Sequence, residues 1–180
     1  IVITIFSTLK QGDNYRQYNA VKSWSVLPRS RVLLTGREAW PLVNEFETGF
    51  VANVQRSLLG MPLLNSLFEL AQERSPGSLF LYVNADIILW EDIVLALDAC
   101  AERFPAFLMV GQRTDLDVPG PIDCKEHCLR QRDAKKGRLL SPCGCDYFGF
   151  TRGLWPEIPP YAIGRTTFDN WLIWSTLKAR

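Results

Sequence analysis

Residues 81–89 read LYVNADIIL, an apolar run broken by an amide and a carboxylate two positions apart, Asn84 and Asp86. Burying a carboxylate among apolar neighbours costs several kcal/mol unless something compensates the charge. A divalent cation does so, and hard cations such as Mg²⁺ are commonly held by one or two carboxylates together with substrate phosphates. Without an ion, the same aspartate simply caps the turn or helix that follows. Two other acids are placed for proton transfer. Asp146 opens an apolar run, and Asp169 stands in the first turn of the last helical segment. A carboxylate near a helix start also complements the helix dipole with no catalytic role.

Four cysteines, Cys124, Cys128, Cys143 and Cys145, cluster in a polar stretch with His127, the chain's one histidine. Zinc needs four such ligands, but the spacing matches no strong zinc pattern. A disulfide such as Cys124–Cys143, or free thiols, ranks ahead of zinc; a disulfide requires an oxidising compartment. Cys100 lies in an apolar helical pattern and reads as a core residue.

The elements that must position these groups alternate. Residues 1–6, 31–34, 50–54, 79–83, 106–111 and 146–150 read as strands, the first and fourth as continuous buried runs. Between them lie helical patterns: one capped by Asp13 and running to Pro28, a short one at 40–47, an amphipathic one at 62–74, and one opened by Glu91 and Asp92. A final helix covers 168–177. Residues 115–145 interrupt the alternation with Pro, Gly, Cys and basic residues, and read as a long loop insertion, functional or metal-stapled, that acts as a mobile lid. Strands alternating with helices specify an α/β fold, a Rossmann-type, mostly parallel central sheet flanked by helices. Ligands of such sheets bind beyond the carboxyl ends of the strands. That rule singles out Ser7 and Thr8, Thr35 and Gly36, Asn84-Ala85-Asp86, Gln112 and Arg113, and the region after 146–150.

The 180 residues suit one domain, and 47% hydrophobic with 22% charged residues is a globular composition. Twenty basic against nineteen acidic residues leave a net charge of +1, so nucleic-acid binding by bulk charge is not expected. No stretch is long enough to span a bilayer. The chain opens in a strand and closes in a helix, which reads as a domain cut from a longer protein. Its compartment, cytoplasm or Golgi lumen, is therefore left open.

The segment around Asn84-Ala85-Asp86 resembles the Asp-x-Asp region of GT-A glycosyltransferases, with Asn at the first position. Two further stretches extend the resemblance: NVQRSLLGMPLL at 53–64 and CDYFGFTRGLWPEIPPYAIGRTTFDNW at 145–171. Together they are similar to a group of algal, viral and plant nucleotide-diphospho-sugar transferases, over most of the chain except 115–143. The resemblance implies a GT-A-like fold and a nucleotide-diphosphate sugar donor. It also implies Mn²⁺ or Mg²⁺ at Asp86, and a glycan or other hydroxyl acceptor. Asn84 would then bind the metal through its amide oxygen or a water, or contact the ribose. Ser7, Thr8, Arg16, Arg56, Ala85 and Arg113 would lie about the nucleotide sugar. Arg113 reads equally as an ion pair with Asp115 or Asp117. Tyr147, Trp155 and Arg165, with Tyr161, would face the acceptor, although a Pro-rich aromatic loop can equally be a packing lid. Asp169 is the expected base of an inverting transfer, with Asp146 its competitor.

Three rivals follow from the same residues. A sugar nucleotidyltransferase would share sheet, metal and nucleotide, but FSTLKQGDN after the first strand has a single Gly and a single Lys. A non-catalytic binding module is favoured by the carboxylate missing at Asn84. A Rossmann dehydrogenase lacks its Gly-x-Gly-x-x-Gly loop here.

Overall fold

The computed structural model describes residues 2–12, 15–122, 137–141, 144–165 and 167–178. Asp13, Thr166 and the cluster of Cys124, His127, Cys128 and Cys143 lie outside them, so the cap and the zinc-or-disulfide alternatives do as well.

Among the described residues, eight strands and five α-helices follow in chain order. They are β1 (Ile3–Thr8), α1 (Arg16–Ser25), β2 (Ser30–Thr35), α2 (Trp40–Phe46), β3 (Gly49–Val51), α3 (Leu64–Glu73), β4 (Leu79–Val83), α4 (Asp92–Arg103), β5 (Leu108–Gln112), β6 (Thr114–Asp115), β7 (Arg138–Leu139), β8 (Cys145–Thr151) and α5 (Phe168–Lys178). Six strands make one sheet in the order β3-β2-β1-β4-β8-β5. Neighbours from β3 to β4 pair in parallel, while β8 runs antiparallel to both β4 and β5. This is the α/β, GT-A/Rossmann-like arrangement expected, with one reversed strand. That strand enters the sheet at Cys145, beside the carboxyl ends of its neighbours: Tyr147 pairs with both Val83 and Gly111. The ends of β1, β2, β4 and β5 and the start of β8 therefore share one edge.

Period-two alternation divides the strands between two cores. Ile3, Ile5, Leu79, Leu81 and Val83 pack with Ala20, Val21 and Trp24 of α1 and Val94 and Leu97 of α4. Phe6, Phe80, Tyr82, Phe148 and Phe150 face the other way, against Phe68 of α3, Trp155, and Phe168 and Leu172 of α5. In that second core Phe150 stacks on Phe68 at 5.1 Å and Phe80 at 5.5 Å, and meets Trp155 at 5.1 Å.

Several boundaries moved from those expected. Strand β3 ends at Val51 and α3 begins at Leu64, the latter because Leu63 and Ala162 pair as an extended bridge. Tyr15 stands at the N-cap of α1 and is exposed. Cys100 is half-buried, packed on the margin of the first core. Among the described residues no helix is long and apolar enough to cross a membrane.

Candidate functional site

A cleft of about 930 Å³ opens at the carboxyl edge, between the starts of α1 and α4 and the ends of β4 and β5. Asp86, Arg16, Arg113 and Tyr147 line it, four of the residues singled out by sequence. Asp86 is not the buried carboxylate its apolar neighbours suggest. The amide of Ile87 donates to the Asn84 carbonyl at 3.1 Å, and this turn buries Ile87 while leaving Asp86 exposed. The turn is held from below: the Trp24 indole donates to the Ile87 carbonyl at 2.8 Å, and the Leu89 amide donates to the Ser23 hydroxyl at 3.0 Å. Ala85 packs against the first core.

Asn84 and Asp146 stand behind the cleft wall. The Asn84 amide donates to Asp146 Oδ1 at 2.9 Å, and its own oxygen accepts from the Tyr82 hydroxyl at 3.3 Å. Arg113 Nη1 donates to both Asp146 oxygens at 2.9 Å, while its Nε donates to Asp115 at 2.6 Å. Arg113 is thus paired with Asp115, as one sequence alternative had it, and with Asp146, which no short-range pattern links to it. Those carboxylates hold its proton above the ordinary arginine range. Burial pushes the Tyr82 phenol well up, and the charges of Asp86 and Asp146 add to the shift. Asp146 is 4% exposed. Both its oxygens accept from Arg113, and Oδ1 accepts from Asn84 as well.

Other expected residues lie elsewhere. The Ser7 hydroxyl is buried and donates to the Val83 carbonyl at 2.6 Å, tying β1 to β4. Thr8 donates to the Thr35 carbonyl at 3.3 Å. Arg56 pairs with Glu38 at 2.8 Å and lines a separate depression of about 320 Å³ with Arg37 and Asn53. Thr8 and Arg56 nevertheless converge on Gly36. A Cβ there would stand 2.8 Å from Glu38 and 3.2 Å from Arg56, and φ of +88° is a left-handed value. Trp155 offers no open face: it is 9% exposed, wedged against Phe68 and Phe150, with its indole donating to the Thr176 hydroxyl at 3.1 Å. Arg165 is exposed, and the Tyr161 ring meets Trp171 at 6.0 Å. Asp169 is half-exposed, and its Oδ1 accepts from the Asn170 amide at 2.9 Å. The preceding Phe168 sits edge-on to Tyr82 at 6.1 Å, which docks the start of α5 on the ring that bonds Asn84.

Sequence reasoning did not place Asn19, Trp90, Asp92 or Ile122 in the cleft, yet all four line it, with Asp115 and Asp117. The signal for Trp90 and Asp92 was their nearness to Asp86. Asn19 and Ile122 are joined across about a hundred residues: Asn19 donates to the Gly120 carbonyl and accepts from the Ile122 amide, both at 2.9 Å. Lys22 donates to the Ile122 carbonyl at 2.7 Å. The first part of the 115–145 insertion is therefore strapped to α1, the helix that carries Arg16.

The residues fit a cation only in a restricted sense. Among the described residues, Asp86 makes no side-chain ion pair and no group of three acidic, His or Cys ligands is gathered. One exposed carboxylate suits a Mg²⁺-like ion that takes its other ligands from phosphates and water. It does not suit an all-protein cage.

No protein-family profile matches the chain, and no curated protein matches it. Among solved structures, residues 1–349 of TarS from S. aureus in complex with UDP-GlcNAc are similar to it with a TM-score of 0.46 and 10% identity, over 60% of this chain and 33% of that one. A second structure of the same TarS region gives 0.47 and 11%, over 66% and 42%. The bifunctional IspDF from Campylobacter jejuni gives 0.45 and 10%, over 84% and 41%. The chain spans less than half the length of each. These likenesses assign no residue a role.

Proposed function

We propose that the protein is a transferase that moves a sugar from a nucleotide-diphosphate donor to a hydroxyl acceptor, with Mn²⁺ or Mg²⁺ at Asp86. One observation carries the reading: an exposed carboxylate with no cation partner among the described residues, set at the end of β4 on a large cleft that also holds two arginines. When bound, the metal supplies Lewis-acid stabilisation of charge on the departing diphosphate. Arg16, exposed on the cleft, adds a fixed positive charge for that leaving group. Arg113 keeps the cleft wall in place through Asp146 and presents its remaining guanidinium edge. Asn84 holds Asp146 and the Tyr82 hydroxyl rather than leaving its amide oxygen for a metal.

Asp169 is the base in this scheme. Its carboxylate is partly open to solvent, and α5 begins on the Tyr82 ring, on the opposite face of the sheet from α4. Inversion needs a proton acceptor across the site from the leaving group; Asp169 is proposed for that role on its carboxylate at a helix start, and it stands outside the residues that line the cleft. Asp146 is the poorer choice, because accepting a proton would break its pairing with Arg113.

The test is donor hydrolysis and transfer across a panel of nucleotide sugars with Mn²⁺, the product's anomeric configuration being read by NMR. Asp169→Asn is expected to lower turnover about 10²–10⁴-fold, the usual loss for a general base, with donor affinity near wild type. Retention of configuration, or full activity in that variant, removes Asp169 from the role. Sugar nucleotidyl transfer is the second reading, since it needs the same cation and nucleotide. Pyrophosphate release from a nucleoside triphosphate and a sugar phosphate, without donor hydrolysis, would select it. A protein that binds sugars and turns over neither substrate set would be the non-catalytic module.

A further inference from the structure

The cleft beside Asp86 has walls suited to a second ligand. Tyr147 lies across Gly111: a Cβ at that glycine would stand 1.7 Å from the ring's Cζ, so the ring occupies the space that any other residue would fill. Tyr147 is half-buried, and burial together with the charge of Asp92 raises its phenol, which therefore stays a proton donor. Trp90 lines the same cleft, also half-buried. Opposite the sheet edge runs the strap. It starts where β6 pairs with β7 and ends where Asn19, 2% exposed, clasps Gly120 and Ile122. Both ends being held, Asp115 and Asp117 are fixed at the cleft instead of trailing in solvent.

The charge of the described lining is one-sided. It has four aspartates, Asp86, Asp92, Asp115 and Asp117, against Arg16 and Arg113, and Arg113 is already engaged by Asp115 and Asp146. Aromatic rings offer flat apolar surface to the C–H faces of a sugar, and carboxylates accept strong hydrogen bonds from hydroxyls. A ligand carrying its own carboxylate or sulfate would be repelled in the same place.

We propose that the side of this cleft formed by Tyr147, Trp90 and the strap, next to the donor position at Asp86 and Arg16, is the acceptor subsite and takes a neutral or amino sugar glycan, seated on the two rings with its hydroxyls donating to the strap carboxylates. The inference rests on the glycosyl-transfer reading but not on Asp169 as its base, since Asp169 does not line this cleft, and it moves the acceptor platform away from Trp155. Selection against acidic glycans comes from the strap, through Asp117 above all, since that side chain is exposed and has no ion pair among the described residues.

The experiment is capture of the full chain on a printed array of neutral, amino, uronate-bearing and sulfated glycans. Neutral or amino glycans are expected to be retained at least about tenfold better than acidic counterparts of the same backbone, the ratio that about 1.4 kcal/mol provides. Preferential capture of acidic glycans overturns the proposal, and so does the absence of any capture. Asp117→Arg changes an exposed residue and is expected to move the ranking toward uronate-bearing glycans by about the same factor. An unchanged ranking overturns the strap's role. Donor hydrolysis by the unaltered protein reads the premise separately. Hydrolysis without glycan capture sinks the subsite and leaves the transferase; capture without hydrolysis sinks the transferase and leaves the glycan class.

Discussion

The two faces of the sheet are built from different materials. One is covered by aliphatic side chains, with Trp24 as its largest buried ring, and opens at its upper edge into the cleft. The other is a continuous stack of aromatic rings from Phe6 to Phe168, and Trp155, expected at the acceptor, is one of them. Ring-on-ring packing fixes neighbours at 5–6 Å with defined tilts, and such a layer is stiff. The aromatic face therefore serves as the platform, and the cleft opens where the aliphatic face gives way. The Asn84–Asp146–Tyr82 network joins the two, because Tyr82 belongs to the aromatic layer and Asp146, behind the cleft wall, holds Arg113 of that wall.

Substitutions can separate platform from cleft. The largest effect on stability is expected from Phe150→Ala, which empties a fully buried ring site touching Phe68, Phe80 and Trp155. It should cost about 3–5 kcal/mol in urea unfolding. A loss below about 1 kcal/mol would mean that the stack is loosely packed and not a platform. Next is Asp146→Ala. It removes one partner from each of Arg113 and Asn84, leaving Asp115 and Tyr82 in place, and should cost about 1–3 kcal/mol, read from the same denaturation curves. Donor binding should weaken too, because the wall behind Asp86 is released.

Tyr82→Phe should cost less, about 1 kcal/mol at neutral pH for one hydrogen bond, but it alters the alkaline limb. The Tyr82 phenol is raised from 10.0 in the folded chain, so the unfolded chain loses its proton first as pH rises. The stabilisation is whole below pH 10 and falls above it, by up to about 1.4 kcal/mol per pH unit for that group. Denaturation midpoints measured between about pH 9 and pH 12 should fall less steeply in the Phe variant. The smallest stability effect is expected at Asp86. Being exposed and unpaired among the described residues, Asp86→Ala should shift unfolding by no more than about 0.5 kcal/mol. The same variant should abolish metal-dependent binding of a nucleotide diphosphate in calorimetry. Unchanged affinity would remove the cation from Asp86, and a large loss of stability would place that residue with the platform.

The sheet was readable because its strands are short, β-branched or aromatic, and bounded by turn residues: 79–83 was read with the observed bounds, and α4 begins beside the acidic residues that announce it. The reversal of β8 was not readable. An apolar run looks the same in either direction, and 32 residues between β5 and β8 permit both. The cleft lining was legible where a residue follows the carboxyl end of a strand, as at Asp86 and Arg113. The site was not legible where a side chain's fate depends on partners far along the chain. Asp146 has the composition of a base, yet it is occupied by Arg113. Trp155 has the composition of a platform, yet Phe68 and Phe150 lie beneath it. Asn19 looks like an ordinary helix residue until Gly120 and Ile122 are brought to it. Asp86 itself was misjudged in burial, because a single turn reverses which side chain of the run points inward.

The bond from Trp24 to the Ile87 carbonyl has an optical consequence. The indole is fully buried, and its hydrogen-bond acceptor lies one residue beyond the carboxylate assigned to the cation. An indole's emission responds to the electric field along its N–H axis, so charge arriving at Asp86 is sensed by a chromophore shielded from water. In a variant with the other five tryptophans replaced by phenylalanine, Trp24 becomes a built-in voltmeter for the strand end, reading occupancy of the site without a label and without turnover.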